Sequence, residues 1–286
     1  MHAAAAVPYD GGTIAVPPRI LRSPLELPPV SVAETLAGGA GIVDLWCFFY
    51  EGIDDATLLA EYDALMTPAE RARRDRYLYE KDRRLYLATR ALARTTLSAY
   101  AAVPADAWSF AEGSHGKPFI TGPGPAPRLH FNLTNTHGLV VCAVSVAHEQ
   151  LGVDAEYVAR RGETVSIADS YFSASEVRAL RRLPPAEQPR RFFAYWTLKE
   201  SYIKARGMGL ALPLDQFSFH LDDADEIGIT FDPRLGDDAS RWRFSLIDAS
   251  PVHALAIGAD TAGAPLSTRV VSVVPLRGPV ARWGGP

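Results

Sequence analysis

Apolar positions in this chain fall into short solid runs and longer periodic stretches, and the two kinds predict different elements. Ile42–Tyr50 (IVDLWCFFY) is short and rich in β-branched and aromatic residues, so it reads as a strand. Leu129–Thr136, Leu139–Val146 and Leu151–Tyr157 read as three successive strands, with His137-Gly138 and His148-Glu149-Gln150 short enough for hairpins. Further short strands are predicted at Trp108–Phe110, Phe217–Leu221, Ile227–Phe231, Arg241–Ile247 and Ala254–Gly258, and Val270–Val274 is a last apolar run. GSHGKPFI, residues 113–120, reads as a loop. Helical spacing marks Ala56–Leu65, a helix or helix pair over residues 68–100, and Arg191–Leu210. In the last of these Phe193, Trp196 and Ile203 recur at three- and four-residue intervals, giving one apolar face that stops at Gly207 and Gly209. Thr67–Glu70 and Ser173–Glu176 are capping boxes, and Pro184, Pro185 and Pro189 break the helix begun at Ser173. Helices followed by antiparallel sets of strands make the class α+β.

Composition narrows the setting. The 286 residues are 48% apolar and 22% charged, as in soluble globular proteins, so a sizeable core can be buried. A net charge of −4 gives no global basic excess, and nucleic acid is not expected as a partner. Charge is uneven, however: residues 70–94 hold nine Lys/Arg against four Asp/Glu, the main basic surface. Cys47 and Cys142 lie in apolar runs without disulfide or metal spacing, and are expected to be buried free thiols in a reducing compartment. No run of about 18 apolar residues exists to span a membrane, and the N-terminus lacks the features of a secretory signal, so a cytoplasmic protein is expected.

The chemistry gathers around acids. In LGVDAEY the strand alternation puts Leu151, Val153, Ala155 and Tyr157 on one face, and Gly152, Asp154 and Glu156 on the other. Two carboxylates two residues apart project together about 6–7 Å apart and repel unless a cation neutralises them. The plain alternative is a pair of solvated acids on an exposed strand. Gly152 beside them argues for something approaching closely. A third acid, Glu200, sits on the apolar face of the 191–210 helix, one turn from Lys204. Three carboxylates without a convergent His or Cys pattern suit a hard cation, Mg²⁺ before Mn²⁺, which completes its shell with water and substrate phosphates. Lys117, Lys199 and Lys204, with the arginines of the basic helix, could neutralise those phosphates, and Lys117 stands on a backbone stiffened by Pro118. These residues point to metal-assisted phosphoryl or phosphodiester-group transfer. A metal-dependent phosphodiesterase uses the same acids and stays open as the alternative.

GVDAE at 152–156, FSASE at 172–176 and WTLKESYIKARGMGL at 196–210 together resemble the phosphopantetheinyl transferases of the Sfp type. The likeness extends through TPAERARRDRY (67–77), GKPFI (116–120), FNLTNTHG (131–138) and LPLDQFSF (212–219), covering the chain from about residue 40 to 260. It implies two similar α+β subdomains related by a pseudo-twofold axis, with coenzyme A in the cleft between them. The expected division is a Pro-rich tail over 1–30, a nucleotide-contacting N-terminal subdomain over 31–148, and a C-terminal subdomain over 149–286 with the metal and catalytic residues. The implied reaction moves 4′-phosphopantetheine from coenzyme A to a serine of an acyl or peptidyl carrier protein and releases 3′,5′-ADP. By position Asp154, Glu156 and Glu200 resemble the Mg²⁺ ligands, Glu200 also the base, and Lys204 the group that stabilises the leaving oxygen. Lys117 with Pro118, and Arg73 and Arg84, resemble the nucleotide and phosphate contacts. Where the family has Ser-His-Ser, this chain has Thr134-Asn135-Thr136, expected against the coenzyme A 3′-phosphate. Glu70 stands where some members carry a phosphate-binding lysine. An acidic carrier protein is the implied partner of the basic helix, and two halves in one chain make a monomer the default.

Overall fold

The computed structural model describes residues 21–22, 30–37, 41–124, 128–159, 165–221 and 226–280. Most of the segment expected to be a tail therefore lies outside the described residues. The N-terminal half runs β1 (Leu21–Arg22), α1 (Val32–Leu36), β2 (Ile42–Phe49), α2 (Ala56–Ala64), α3 (Pro68–Asp75), α4 (Glu80–Tyr100), β3 (Ser109–Glu112), β4 (Pro118–Gly122), β5 (His130–Thr136) and β6 (Leu139–Ser145). There follow β7 (Leu151–Tyr157), α5 (Ala168–Tyr171), α6 (Ala174–Arg182), α7 (Gln188–Arg206), β8 (Phe217–His220) and β9 (Gly228–Phe231). The chain closes with β10 (Trp242–Ser250), β11 (His253–Asp260), β12 (Ser267–Val274) and β13 (Gly278–Pro279). The fold is α+β, with no described helix long and apolar enough to cross a membrane.

Two sheets and two long helices form the frame. One sheet has the order β13-β12-β2-β6-β5, the other β1-β10-β11-β7. Between the sheets lies a core of Val43, Leu45 and Cys47 from β2, Leu139 and Val141 from β6, Leu151 and Val153 from β7, and Leu255 and Ile257 from β11. The alternate residues of β2 and β6, among them Trp46, Phe48, Val140 and Cys142, face a second core under α2 and α4. Apolar burial on both faces is why these strands read as solid runs rather than alternating ones. On the other sheet α7 covers β7 and β11 and is itself covered by α6, β8 and β9, around Phe192, Tyr195, Tyr202, Phe217 and Trp242. That double cover explains a departure from the expected single apolar face: α7 is buried on nearly every side. Cys47 and Cys142 are buried free thiols, and burial pushes the Cys47 thiol up to about 12.

Several expectations are redrawn. Residues 118–120, expected within a loop over 113–120, belong to β4, which pairs with β3. Pro189 lies in the first turn of α7, a position proline tolerates, and does not precede the helix. The sheets also exchange strands across the expected boundary at residue 149. β12 pairs in parallel with β2 in the N-terminal sheet, while β1 pairs in parallel with β10 in the other. Arg269 on β12 fixes the first exchange: its Nε donates to buried Asp44 Oδ1 at 2.8 Å, and Tyr100 Oη donates to Asp44 Oδ2 at 2.6 Å.

Candidate active site

The site begins where β7 passes beneath α7. Gly152, Asp154 and Glu156 share the face of β7 turned to the helix, and their neighbours across the ladder on β11 are Gly258, Ala256 and Ala254. These small residues leave a flat bed. A Cβ on Gly152 would lie 2.0 Å from the Ser201 carbonyl oxygen and 2.4 Å from the Ala205 nitrogen. What Gly152 admits is thus the backbone of α7 itself, and Glu200 and Lys204 flank that contact.

Asp154 is 6% exposed, and its Oδ1 accepts from Lys204 Nζ at 2.6 Å. The same ammonium donates to Thr134 Oγ1 at 3.1 Å and to the Val153 carbonyl at 3.2 Å. Burial raises the Asp154 carboxyl above its usual range, opposed by Lys204 and Thr134. Its Oδ2 is buried without a hydrogen-bond partner. Glu200 is raised as well, first by burial and then by the negative charge of Asp154, with Lys204 opposing and Glu156 adding. The structure thus brings Asp154, Glu156, Glu200 and Lys204 into one electrostatic neighbourhood. Among the described residues no three acids or histidines converge tightly enough to enclose a metal as they stand. The donor set nevertheless fits a hard divalent ion: mutually repelling carboxylates and a buried oxygen lacking a partner.

The other expected residues divide. Lys117 reaches across from the β3–β4 turn, donating to the Leu151 carbonyl of β7 and the Ala205 carbonyl of α7, both at 3.0 Å. Burial lowers it to about 8, with Glu149 opposing. Thr134 is 3% exposed with its hydroxyl bonded to Asp154, Lys204 and the Ala155 nitrogen. Thr136 accepts from the Tyr157 nitrogen at 3.1 Å. Asn135 is exposed and its amide lies 3.5 Å from Thr89 Oγ1 on α4.

Two expected phosphate contacts stand elsewhere. Lys199 is 1% exposed in the core behind α7, paired with buried Glu176 at 2.8 Å and donating to the Leu214 and Phe217 carbonyls, each at 2.7 Å. One residue from Glu200 is 100° round the helix, which turns its side chain away from β7. Arg84 pairs with Asp54 at 2.6 Å and donates to the Ile53 carbonyl, on the face of α4 toward α2.

Arg73 does line a cavity of about 310 Å³ beneath α3 and α4, together with Tyr86, Arg90, Arg94, Phe110 and Pro118. Arg94 is consumed by Glu70 at 2.7 Å and the Trp108 carbonyl at 2.7 Å. Burial pushes Glu70 up, but the Thr67 N–H, Arg94 and Arg90 outweigh it and hold the carboxyl below its ordinary value. Arg90 stands over the Tyr86 ring at 4.9 Å and 3.7 Å from Glu70, with a buried Nε that has no hydrogen-bond partner. The sequence reading passed over Arg90. Its signal was the spacing Tyr86, Arg90, Arg94, which places all three on one stripe of α4.

Comparison with known proteins bears on this arrangement. Residues 150–258 match the model of the 4′-phosphopantetheinyl transferase superfamily, and residues 56–147 match that of the 4′-phosphopantetheinyl transferase N-terminal region. The 4′-phosphopantetheinyl transferase HetI of Nostoc sp. is 35% identical over 153 residues, 54% of this chain and 64% of that protein. A 4′-phosphopantetheinyl transferase of Bacillus subtilis is 35% identical over 174 residues, 59% of this chain and 74% of that one. The 4′-phosphopantetheinyl transferase Sfp of Bacillus subtilis strain 168 is 28% identical over 209 residues, covering 73% of this chain and 88% of its own. With residues 56–147 and 150–258 both matched, and the second of these relatives covered over 74% of its length, this chain belongs to the 4′-phosphopantetheinyl transferases.

Proposed function

We propose that this chain moves 4′-phosphopantetheine from coenzyme A to a serine hydroxyl of an apo acyl or peptidyl carrier protein, releasing 3′,5′-ADP, in the cytoplasm and as a monomer. The observation that carries the reading is Lys204 bonded to buried Asp154 at 2.6 Å, with Glu200 one helical turn away: burial raises both carboxyls, and the charge of Asp154 raises Glu200 further. Asp154, Glu156 and Glu200 would hold Mg²⁺, whose charge offsets that of the pyrophosphate. The nucleotide end is assigned to the cavity of Arg73, Arg90 and Pro118.

In the transfer the serine oxygen forms a bond to the pantetheine-side phosphorus, and the bond from that phosphorus to the bridging oxygen breaks. Glu200, whose carboxyl burial makes more basic than usual, takes the serine proton. Lys204 stabilises the charge that develops on the bridging oxygen, which leaves with 3′,5′-ADP. The basic surface of α3 and α4 steers an acidic carrier toward the cleft.

Incubation with several apo carriers, coenzyme A and Mg²⁺ should raise a carrier's mass by one phosphopantetheine group. Cleavage of coenzyme A without a carrier, and no mass shift with any carrier, would instead identify a phosphodiesterase.

A further inference from the structure

The cavity assigned to the nucleotide end is more nearly neutral than its arginines suggest. Arg73, Arg90 and Arg94 line it, and so do Glu70 and Glu112. Glu70 is built into the fold: it accepts from the Thr67 N–H at 2.9 Å to close the cap of α3, and it holds Arg94, whose side chain is 1% exposed. Glu112 stands differently. It ends β3 opposite Pro118 of β4, its side chain is about half exposed, and its Oε1 accepts from Arg73 Nη1 at 3.0 Å. The Arg73 guanidinium lies 6.0 Å from the Tyr86 ring, which also lines the cavity. The arginine of the three that is most open to solvent is therefore the one engaged by Glu112.

A phosphate monoester carries a charge of about −1.5 to −2 at pH 7 and takes a guanidinium in paired, charge-assisted hydrogen bonds. Coenzyme A has such a group on its ribose, and 3′-dephospho-coenzyme A lacks it. A carboxylate already on Arg73 must be displaced or share the guanidinium when the phosphate arrives, and its own charge repels the phosphate at short range. An exposed ion pair holds weakly, so the exchange is easy. We propose that Glu112 is a specificity-determining residue: it competes with the 3′-phosphate for Arg73, and so narrows the margin by which coenzyme A is bound over 3′-dephospho-coenzyme A. The inference rests on the nucleotide end lying in this cavity. It does not rest on transfer to a carrier.

Calorimetric titration of the full chain with each of the two ligands, without a carrier, tests this. Glu112→Gln, a change at a half-exposed position that the fold should absorb, is expected to tighten coenzyme A binding about threefold to tenfold. Binding of 3′-dephospho-coenzyme A should change less than about twofold. The gain should shrink in about 1 M salt, where the screening length falls to about 3 Å. It should shrink as well in an Arg73→Gln background, which has no guanidinium to release. Weaker binding of both ligands by the Glu112→Gln variant would make Glu112 a ligand contact and overturn the proposal. So would an unchanged preference between the two ligands, or a gain of equal size with and without Arg73. Were wild type to bind coenzyme A but transfer nothing, the transferase reading would fall, while the preference would still decide the role of Glu112. Were it to bind neither ligand, Glu112 would have nothing to select and the proposal would fall.

Discussion

Gly152 lies directly under Ser201, and a single methyl group added there would stand 2.0 Å from the Ser201 carbonyl oxygen. The obstacle is helix backbone, which cannot swing aside as a side chain can. Gly152→Ala should therefore cost about 3 kcal/mol or more, at the upper end for overpacking. Gly258→Ala would meet the ring of Phe244 at 2.5 Å, and the ring can turn, so about 1–2 kcal/mol is expected. Urea unfolding of the two variants checks the order. Equal midpoints for Gly152→Ala and wild type would refute backbone contact between β7 and α7.

Glu200 gives a pH-dependent test. Its folded-state carboxyl is raised above the ordinary 4.5 by burial and by Asp154. Between those two values the folded chain holds a proton that the unfolded chain has lost, so stability falls as pH rises through the window. In chelator at neutral pH, Glu200→Gln should melt above wild type, and the gap should close as pH falls toward 4.5. With Mg²⁺ present the order should reverse, since wild type gains about 2.7 kcal/mol when the ion is at a hundred times its Kd. Turnover of the glutamine variant should be lost in either case. Wild type melting at or above the variant in chelator would contradict the repulsion read from the site.

For Lys117 the sign runs the other way. Its folded value of about 8 lies below the ordinary 10.5, so between them the unfolded chain holds the extra proton and this group's contribution to stability grows with pH. Lys117→Met strands two carbonyls, at about 1–3 kcal/mol each for a buried unsatisfied group, less the relief of removing a buried charge. The stability gap between wild type and variant should widen between about pH 8 and 10.5. A gap independent of pH would mean that Lys117 is not held against the carbonyls of Leu151 and Ala205.

Lys199 and Glu176 are a structural pair. Their side chains are 1% and 0% exposed, so removing one partner strands a buried charge. Lys199→Met should cost about 3–5 kcal/mol, and adding Glu176→Gln should recover part of it. Activity should follow the folded fraction. A Lys199→Met variant that is as stable as wild type but poorer in coenzyme A binding would restore the phosphate contact expected from sequence.

What the sequence showed and what it hid follow from range. Asp154 and Glu156 were readable because strand alternation is local, and Glu200 with Lys204 because a four-residue step stays on one helix face. Lys199 was misplaced because being next in sequence to Glu200 means nearly a third of a turn away in space. The parallel pairing of β12 with β2 joins residues more than two hundred positions apart, and nothing in either run announces its partner. Thr134 and Thr136 were expected against the 3′-phosphate through the resemblance alone. Their partners include backbone N–H groups of another strand, which carry no residue-type signal.

Arg90 and Arg84 lie six residues apart on α4, and the structure reverses their expected importance. Arg84 is spent on Asp54 and the Ile53 carbonyl, whereas Arg90 lines the cavity with Arg73 and its buried Nε, 3.7 Å from Glu70, makes no hydrogen bond. A charged hydrogen bond to phosphate is worth about 1.5–3 kcal/mol, so Arg90→Gln should raise KM for coenzyme A roughly tenfold or more. Arg94 remains to hold Glu70, so the fold should survive the change. Arg84→Gln should leave KM within about twofold, since a half-exposed pair contributes little to binding elsewhere. Initial rates over a range of coenzyme A concentrations separate the two variants. If Arg84→Gln raised KM and Arg90→Gln did not, the nucleotide end would have to be moved from this cavity to the opposite face of α4.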